Sequence, residues 1–145
     1  KEKNIMKRRI DEEESYANIE MIYTLSLSFP CVSDDIPNKL LDSIFKELYT
    51  PYGLRSVSKY SPHYDGLIYP KYMVHFIKAN LRLTGITRAS QKISYNLVKE
   101  LLQDVGKYVN GGTKKVYSEK GVAIDGMSYD ILTNAEMVRL YHMFM

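Results

Sequence analysis

Six residues carry groups able to bind or act on a polyhydroxylated ligand: Arg55, His63, Asp65 and Tyr69 in one stretch poor in helix signals, and Glu119 and Asp125 in another. Carboxylates and a guanidinium exchange hydrogen bonds with hydroxyl groups, and a histidine can donate or accept near neutral pH. The first stretch also holds Tyr49, Tyr52, Tyr60 and Tyr64. Aromatic faces stack on the apolar faces of sugar rings, so tyrosines mixed with carboxylates suit carbohydrate. Hydrolysis of a glycosidic bond needs two carboxyl groups, set about 6.5–9.5 Å apart when configuration inverts. Glu119 and Asp125 are candidates for one of the two; solvated loop charge is the competing reading of both.

Other chemistries find less support. His63, His75 and His142 are far apart, without a His or Cys partner at ligand spacing, so no metal site and no cofactor is expected. No nucleophile-elbow pattern supports a Ser-His-Asp arrangement. Gly111-Gly112 followed by Lys114-Lys115 lacks the spacing of a phosphate loop and reads as a helix terminator. The net charge is only +3, and the basic run Lys7-Arg8-Arg9 is cancelled at once by Asp11-Glu12-Glu13-Glu14, against a nucleic-acid partner. No apolar run approaches the ~18 residues of a membrane span, and no signal-peptide pattern is present. One cysteine, Cys31, fits a buried small hydrophobe in a reducing compartment, so a cytoplasmic location is expected. The chain starts with Lys1, which fits a fragment or a processed product.

The elements that must position these residues are helices. Residues 1–14 read as a polar arm. A first helix is expected over residues 15–27, with Ser15 as N-cap and apolar residues nearly all round, hence buried. A second, capped by Ser33 or Asp34, carries Leu40, Leu41, Ile44, Phe45 and Leu48 at helical spacing. A long loop over residues 50–68 leads to a third helix after Pro70, with Met73, Phe76, Ile77 and Leu81 on one face and Gly85 ending it. Thr87 caps a fourth, with Ile93, Leu97, Val98, Leu101, Leu102 and Val105 as its stripe, broken by Asn110-Gly111-Gly112. After a second long loop to about residue 126, Ser128 is expected to cap a fifth, with Ile131, Leu132, Ala135, Val138, Tyr141 and Phe144 as the core face. Strands are at most minor, and the fold class is all-α in one domain over residues 1–145.

Connection lengths alternate short, long, short, long. Short connections between packed helices make antiparallel hairpins. If successive helices alternate in direction, both long loops gather at one end of the stack. All six candidate residues then share one rim, as functional groups commonly do on loops held by a rigid scaffold.

TLSLSFP at 24–30 and ELYTPYGLRS at 47–56 resemble the C-terminal part of glycogen debranching enzymes of the amylo-α-1,6-glucosidase type. The order of parts matches over about residues 15–145: YDGLIYP at 64–70 stands at a loop motif of that family, LRLTG at 81–85 closes the next helix, and AEMVR at 135–139 resembles the last one. The resemblance implies a partial (α/α)6 toroid of about five main helices, acting on α-1,6 branch points of glucans. It also implies the earlier helices of the ring, or a second copy of the chain, as partners. Tyr64 and Tyr69 replace the family's loop histidine and tryptophan. Aligning KKVYSEKG at 114–121 puts Lys115 where the resemblance implies the catalytic base. A lysine is no carboxylate base without a large pKa shift; Glu119 substitutes for it if the loop register differs. The general acid would precede Lys1. Arg55, His63, Asp65, Tyr69 and Asp125 would bind sugar. Three readings stand: a hydrolase segment inactive by itself, a non-catalytic glucan-binding descendant, and a helical interaction module without sugar chemistry.

Overall fold

A computed structural model describes residues 6, 16–29, 32, 35–105, 113–124 and 130–144. The described residues form five α-helices and four two-residue strands: α1 (Met21–Ser26), α2 (Ile36–Glu47), β1 (Tyr49–Thr50), β2 (Gly53–Leu54), β3 (Leu67–Ile68), α3 (Met73–Thr84), α4 (Arg88–Val105), β4 (Tyr117–Ser118) and α5 (Ile131–Phe144). A 3-10 turn over Pro70–Tyr72 runs directly into α3. The chain is mainly helical, and the minor strands do specific work at one end of it.

The central element is α3, which touches α1, α2, α4 and α5. Its Met73, Phe76 and Ile77 are fully buried, as the spacing predicts, with Leu81 partly so, and Ala79, which the spacing does not mark, is buried as well. Phe76 meets Phe45 of α2 edge-on at 5.0 Å and lies 5.9 Å from the Tyr49 ring. Such aromatic pairs add about 0.5–1.5 kcal/mol beyond burial. On α2 the expected stripe is buried at Leu40, Leu41 and Ile44, with Leu48 just beyond its end. Pro37 sits in its first turn. The turn into α4 is a reciprocal cap: the Ser90 N–H donates to Thr87 Oγ1 at 3.1 Å, and the Thr87 N–H donates to Ser90 Oγ at 2.9 Å. Two orphan donors of the helix start are thereby satisfied.

The first helix is much shorter than expected. Residues 17–19 are not helical; Ile19 N–H donates to Ser56 O and Ser58 N–H to Ala17 O, each at 2.8 Å. Asn18 Oδ1 accepts the Glu20 N–H at 3.1 Å, a local bond that competes with helix and starts the turn into α1. The nearly all-round apolar pattern therefore merges a strand-like piece, burying Ala17 and Ile19, with a six-residue helix burying Met21, Ile22 and Leu25.

The fifth helix is rotated from its expected face. Ile131 is 83% exposed, and Leu132, Val138 and Tyr141 are exposed as well. The side facing the core carries Thr133 and Leu140, both buried, with Met137 partly so. Asp130 caps the helix, its Oδ2 accepting the Thr133 N–H at 3.1 Å and the Thr133 hydroxyl at 2.7 Å. Asn134 Oδ1 accepts both the N–H and the hydroxyl of Thr113 at 2.9 Å. These polar ties at the N-terminal end fix which face turns inward. The Ser15, Ser33, Asp34 and Ser128 caps, the Asn110-Gly111-Gly112 break, Cys31 and most of the 1–14 arm lie outside the described residues. Met6 is part-buried and packs against the core.

The two faces of α5 make a direct test. Leu140→Ala is expected to lower unfolding free energy by about 2–5 kcal/mol, whereas Val138→Lys should change it by less than about 0.5 kcal/mol, both read by urea denaturation.

Candidate functional site

The long loop after α2 is ordered by short pairings. Thr50 and Pro51 turn the chain back so that β1 and β2 pair antiparallel, Tyr49 opposite Leu54. The Thr50 hydroxyl donates to Gly53 O at 2.9 Å and its oxygen accepts the Tyr52 N–H at 3.2 Å. Ser58 and Ser61 hydroxyl oxygens accept backbone N–H groups two residues on, from Tyr60 and His63. The loop's end then returns to its beginning, Arg55 bridging Ile68.

The second long loop joins the first here. Strand β3 pairs antiparallel with β4, Leu67 opposite Ser118 and Ile68 opposite Tyr117. Ile68 and Tyr117 are buried, so the pairing closes over the core. Two glycines permit the close approach. A Cβ at Gly53, whose φ is +147°, would lie 2.5 Å from Ile68 Cγ2. A Cβ at Gly121, whose φ is +75°, would lie 2.5 Å from Cδ1 of the Tyr52 ring. Tyr52 thus rests on the turn after β4, one loop lying against the other.

Side chains complete the junction. The Arg55 Nε donates to Glu119 Oε1 in an ion pair, and Arg55 Nη1 donates to the Glu47 carbonyl at 3.2 Å. The Tyr64 hydroxyl and Arg55 hold the Glu119 carboxyl below its ordinary range, with smaller help from the Lys59 charge. Partial burial and the bond to Glu119 push the Tyr64 phenol up. Beside them, Asp65 Oδ1 accepts the Ser56 hydroxyl at 3.0 Å and the Leu67 N–H at 2.9 Å, while Oδ2 accepts the Tyr69 hydroxyl at 3.4 Å. Burial and the Asp65 charge raise the Tyr69 phenol.

Four of the six expected residues therefore meet: Arg55, Asp65, Tyr69 and Glu119 lie around the β3–β4 junction. His63 is exposed on the preceding turn, and its ring has no hydrogen bond among the described residues. Asp125 lies outside them. Lys115 is exposed three residues before β4 ends. Tyr64 is not among the expected binding residues, yet its phenol acts on both members of the ion pair, lowering the Glu119 pKa and raising that of Arg55. Its place directly before Asp65-Gly66, where a debranching-type histidine would stand, was the available signal. No group of three or more His, Cys, Asp and Glu among the described residues could hold a metal ion, and no described helix is long and apolar enough to cross a membrane.

What the junction offers is an ionised carboxylate, a fixed guanidinium and several phenols at one edge of a helical core. A family model described as amylo-alpha-1,6-glucosidase matches residues 2–119. The match takes in the N-terminal arm and ends at Glu119, short of α5. No curated protein matches the chain.

The depressed Glu119 pKa sets a sign for acid stability. Its contribution is present above the ordinary carboxyl value of 4.5 and is lost as pH falls through the lower value it has in the fold. Glu119→Gln is expected to be less stable than wild type at neutral pH and to show a shallower loss below about pH 4.5, measured by denaturation midpoints across that range. Gly121→Ala should loosen the Tyr52 contact and lower the thermal midpoint at any pH.

Proposed function

The chain belongs to the amylo-alpha-1,6-glucosidase family, and from that premise we propose that it supplies the glucan-binding rim of a debranching-type glucosidase acting at α-1,6 branch points. The observation that carries this reading is the β3–β4 pairing, which joins the two long loops and gathers Arg55, Tyr64, Asp65, Tyr69 and Glu119 at one edge. Carboxylates accept hydrogen bonds from sugar hydroxyls, the guanidinium donates to ring and hydroxyl oxygens, and the phenols offer stacking faces. His63, exposed beside them, and Asp125, close after β4 in sequence, are further sugar contacts in this reading. The family's (α/α)6 toroid is the architecture we propose, with the apolar outer face of α5 as the side where further helices of such a ring pack.

Glu119 is the candidate base. An ionised carboxylate is what water activation requires, but the bonds from Tyr64 and Arg55 that keep it ionised also lower its basicity. For Glu119 to take a proton from water, sugar must displace Tyr64 or draw Arg55 away. The same clamp, together with Lys115 at the position where the family resemblance implies a base, favours a second reading: a descendant that binds glucan without cleaving it. The isolated chain is inactive in both readings, since neither assigns it a general acid.

Calorimetric titration with maltooligosaccharides tests the binding rim. Wild type is expected to bind with a dissociation constant of about a millimolar or better, and Arg55→Ala to bind at least severalfold more weakly. No heat of binding for wild type contradicts the reading. Glucose release from a branched limit dextrin, measured on the protein with its general acid present, separates the two readings. A loss in Glu119→Gln supports the base, and equal rates in both proteins remove Glu119 from the reaction.

A further inference from the structure

The aromatic and charged surface continues beyond Tyr69. Tyr72 ends the 3-10 turn three residues on and is within electrostatic range of the Tyr69 phenol. Tyr23 of α1 meets Tyr72 with ring centroids 5.7 Å apart and planes at 65°. The Tyr23 ring also meets His75 of α3 at 4.7 Å and 72°. His75 is itself fixed, with Nδ1 2.9 Å from Ser26 Oγ. Helix α5 packs against the Pro70–Tyr72 turn and α3, and on it Arg139 Nη1 donates to both oxygens of Glu136, at 2.8 and 2.9 Å. The Glu136 charge acts on both Tyr23 and His75.

The set repeats the chemistry of the loop junction. There, a phenol stands beside an Arg–Glu pair at Tyr64, Arg55 and Glu119; here, a phenol stands near an Arg–Glu pair at Tyr23, Arg139 and Glu136. Asp65, Tyr69 and Tyr72 connect the two. A ligand built from identical sugar units presents the same hydroxyls and apolar faces at each step, so a surface that follows it can use the same groups again. Tyr23 is 40% exposed although two ring contacts hold it. An aromatic already fixed loses little freedom when a ligand stacks on it.

We propose that Tyr23, with Tyr72 beside it and the Glu136–Arg139 pair of the adjoining α5, forms a second sugar subsite that takes further glucose units of a glucan chain leaving the Arg55–Asp65–Glu119 rim. This subsite rests on the glucan reading and adds to it a preference for chain length. Glu136 and Arg139 contact hydroxyls, Tyr23 supplies the stacking face, and Tyr72 and His75 are positioning residues.

Titration of the full chain with maltotriose and maltoheptaose tests it. Wild type should bind maltoheptaose more tightly. Tyr23→Ala should lower maltoheptaose affinity about tenfold, leaving maltotriose affinity unchanged, and Tyr23→Phe should stay within about twofold of wild type on both. Tyr23→Ala binding both sugars like wild type, or losing equally on both, overturns the subsite. Should Tyr23→Ala fail to fold, Glu136→Gln is read the same way: a severalfold loss confined to maltoheptaose supports the subsite, and no selective loss overturns it. Equal affinity of wild type for the two sugars overturns the subsite alone. Binding of neither overturns the glucan reading and the subsite together.

Discussion

The closure of two distant loops onto each other is the constraint on which the rest of this molecule depends. Arg55 and Glu119 are 64 positions apart, and α3 and α4 lie between them. Two-residue strands have little stability of their own, so the β3–β4 pairing must draw on the core beneath it. Ile68, Leu54 and Tyr117 are buried there, and Gly53 lets Ile68 come close. The ion pair above them is partly exposed, with a third of the Glu119 side chain open to solvent. Pairs of that kind contribute about 0–1 kcal/mol. Apolar burial and backbone hydrogen bonds therefore hold the loops together, and the Arg55–Glu119 pair mainly orients the groups that a ligand would meet.

The same economy governs the polar groups of the rim. Asp65 accepts three hydrogen bonds from its own loop, and Glu119 is held by Arg55 and Tyr64. Each carboxylate is fixed in direction, and Glu119 is held in its charged form, which suits recognition of a hydroxylated ligand better than proton transfer. Rigid phenols around them add area at low entropic cost. Behind the rim, α3 acts as the post: its start carries the aromatic turn at Pro70–Tyr72, its middle carries the core residues Phe76 and Ile77, and its flank carries His75 against α1.

Much of this was legible in the sequence. The stripes on α2 and α3 follow from period, with Leu40, Leu41, Ile44, Met73, Phe76 and Ile77 buried as the spacing marks. On α4 Leu97 and Leu101 are buried, but Leu102, expected in the same stripe, is 52% exposed, one position round the helix from Leu101 and turned away from the core. The alternation of connection lengths implied that both long loops share one end, and Asp65 and Glu119 do flank the paired strands. The misses have local causes. Residues 17–19 read as helix because apolar content cannot separate a buried bridge from a buried helix; pairing with residues 56–58 decided it. On α5 the most hydrophobic stripe is not the buried one. Thr133 and Asn134, tied to Asp130 and Thr113, set the helix rotation, and polar ties of that sort leave no periodic signal. Tyr64 stands out only by its place before Asp65-Gly66, because one tyrosine in a tyrosine-rich loop carries no mark of a Glu119 brought back by the pairing of the second loop.

If the two loops work as one carbohydrate-binding edge, as proposed, a glucan must reach both at once. Amide chemical shifts followed while maltoheptaose is added test it most directly. Resonances from residues 55–69 and 117–121 are expected to move together along one saturation curve. Shifts confined to one of the two loops, or to the helices alone, contradict it.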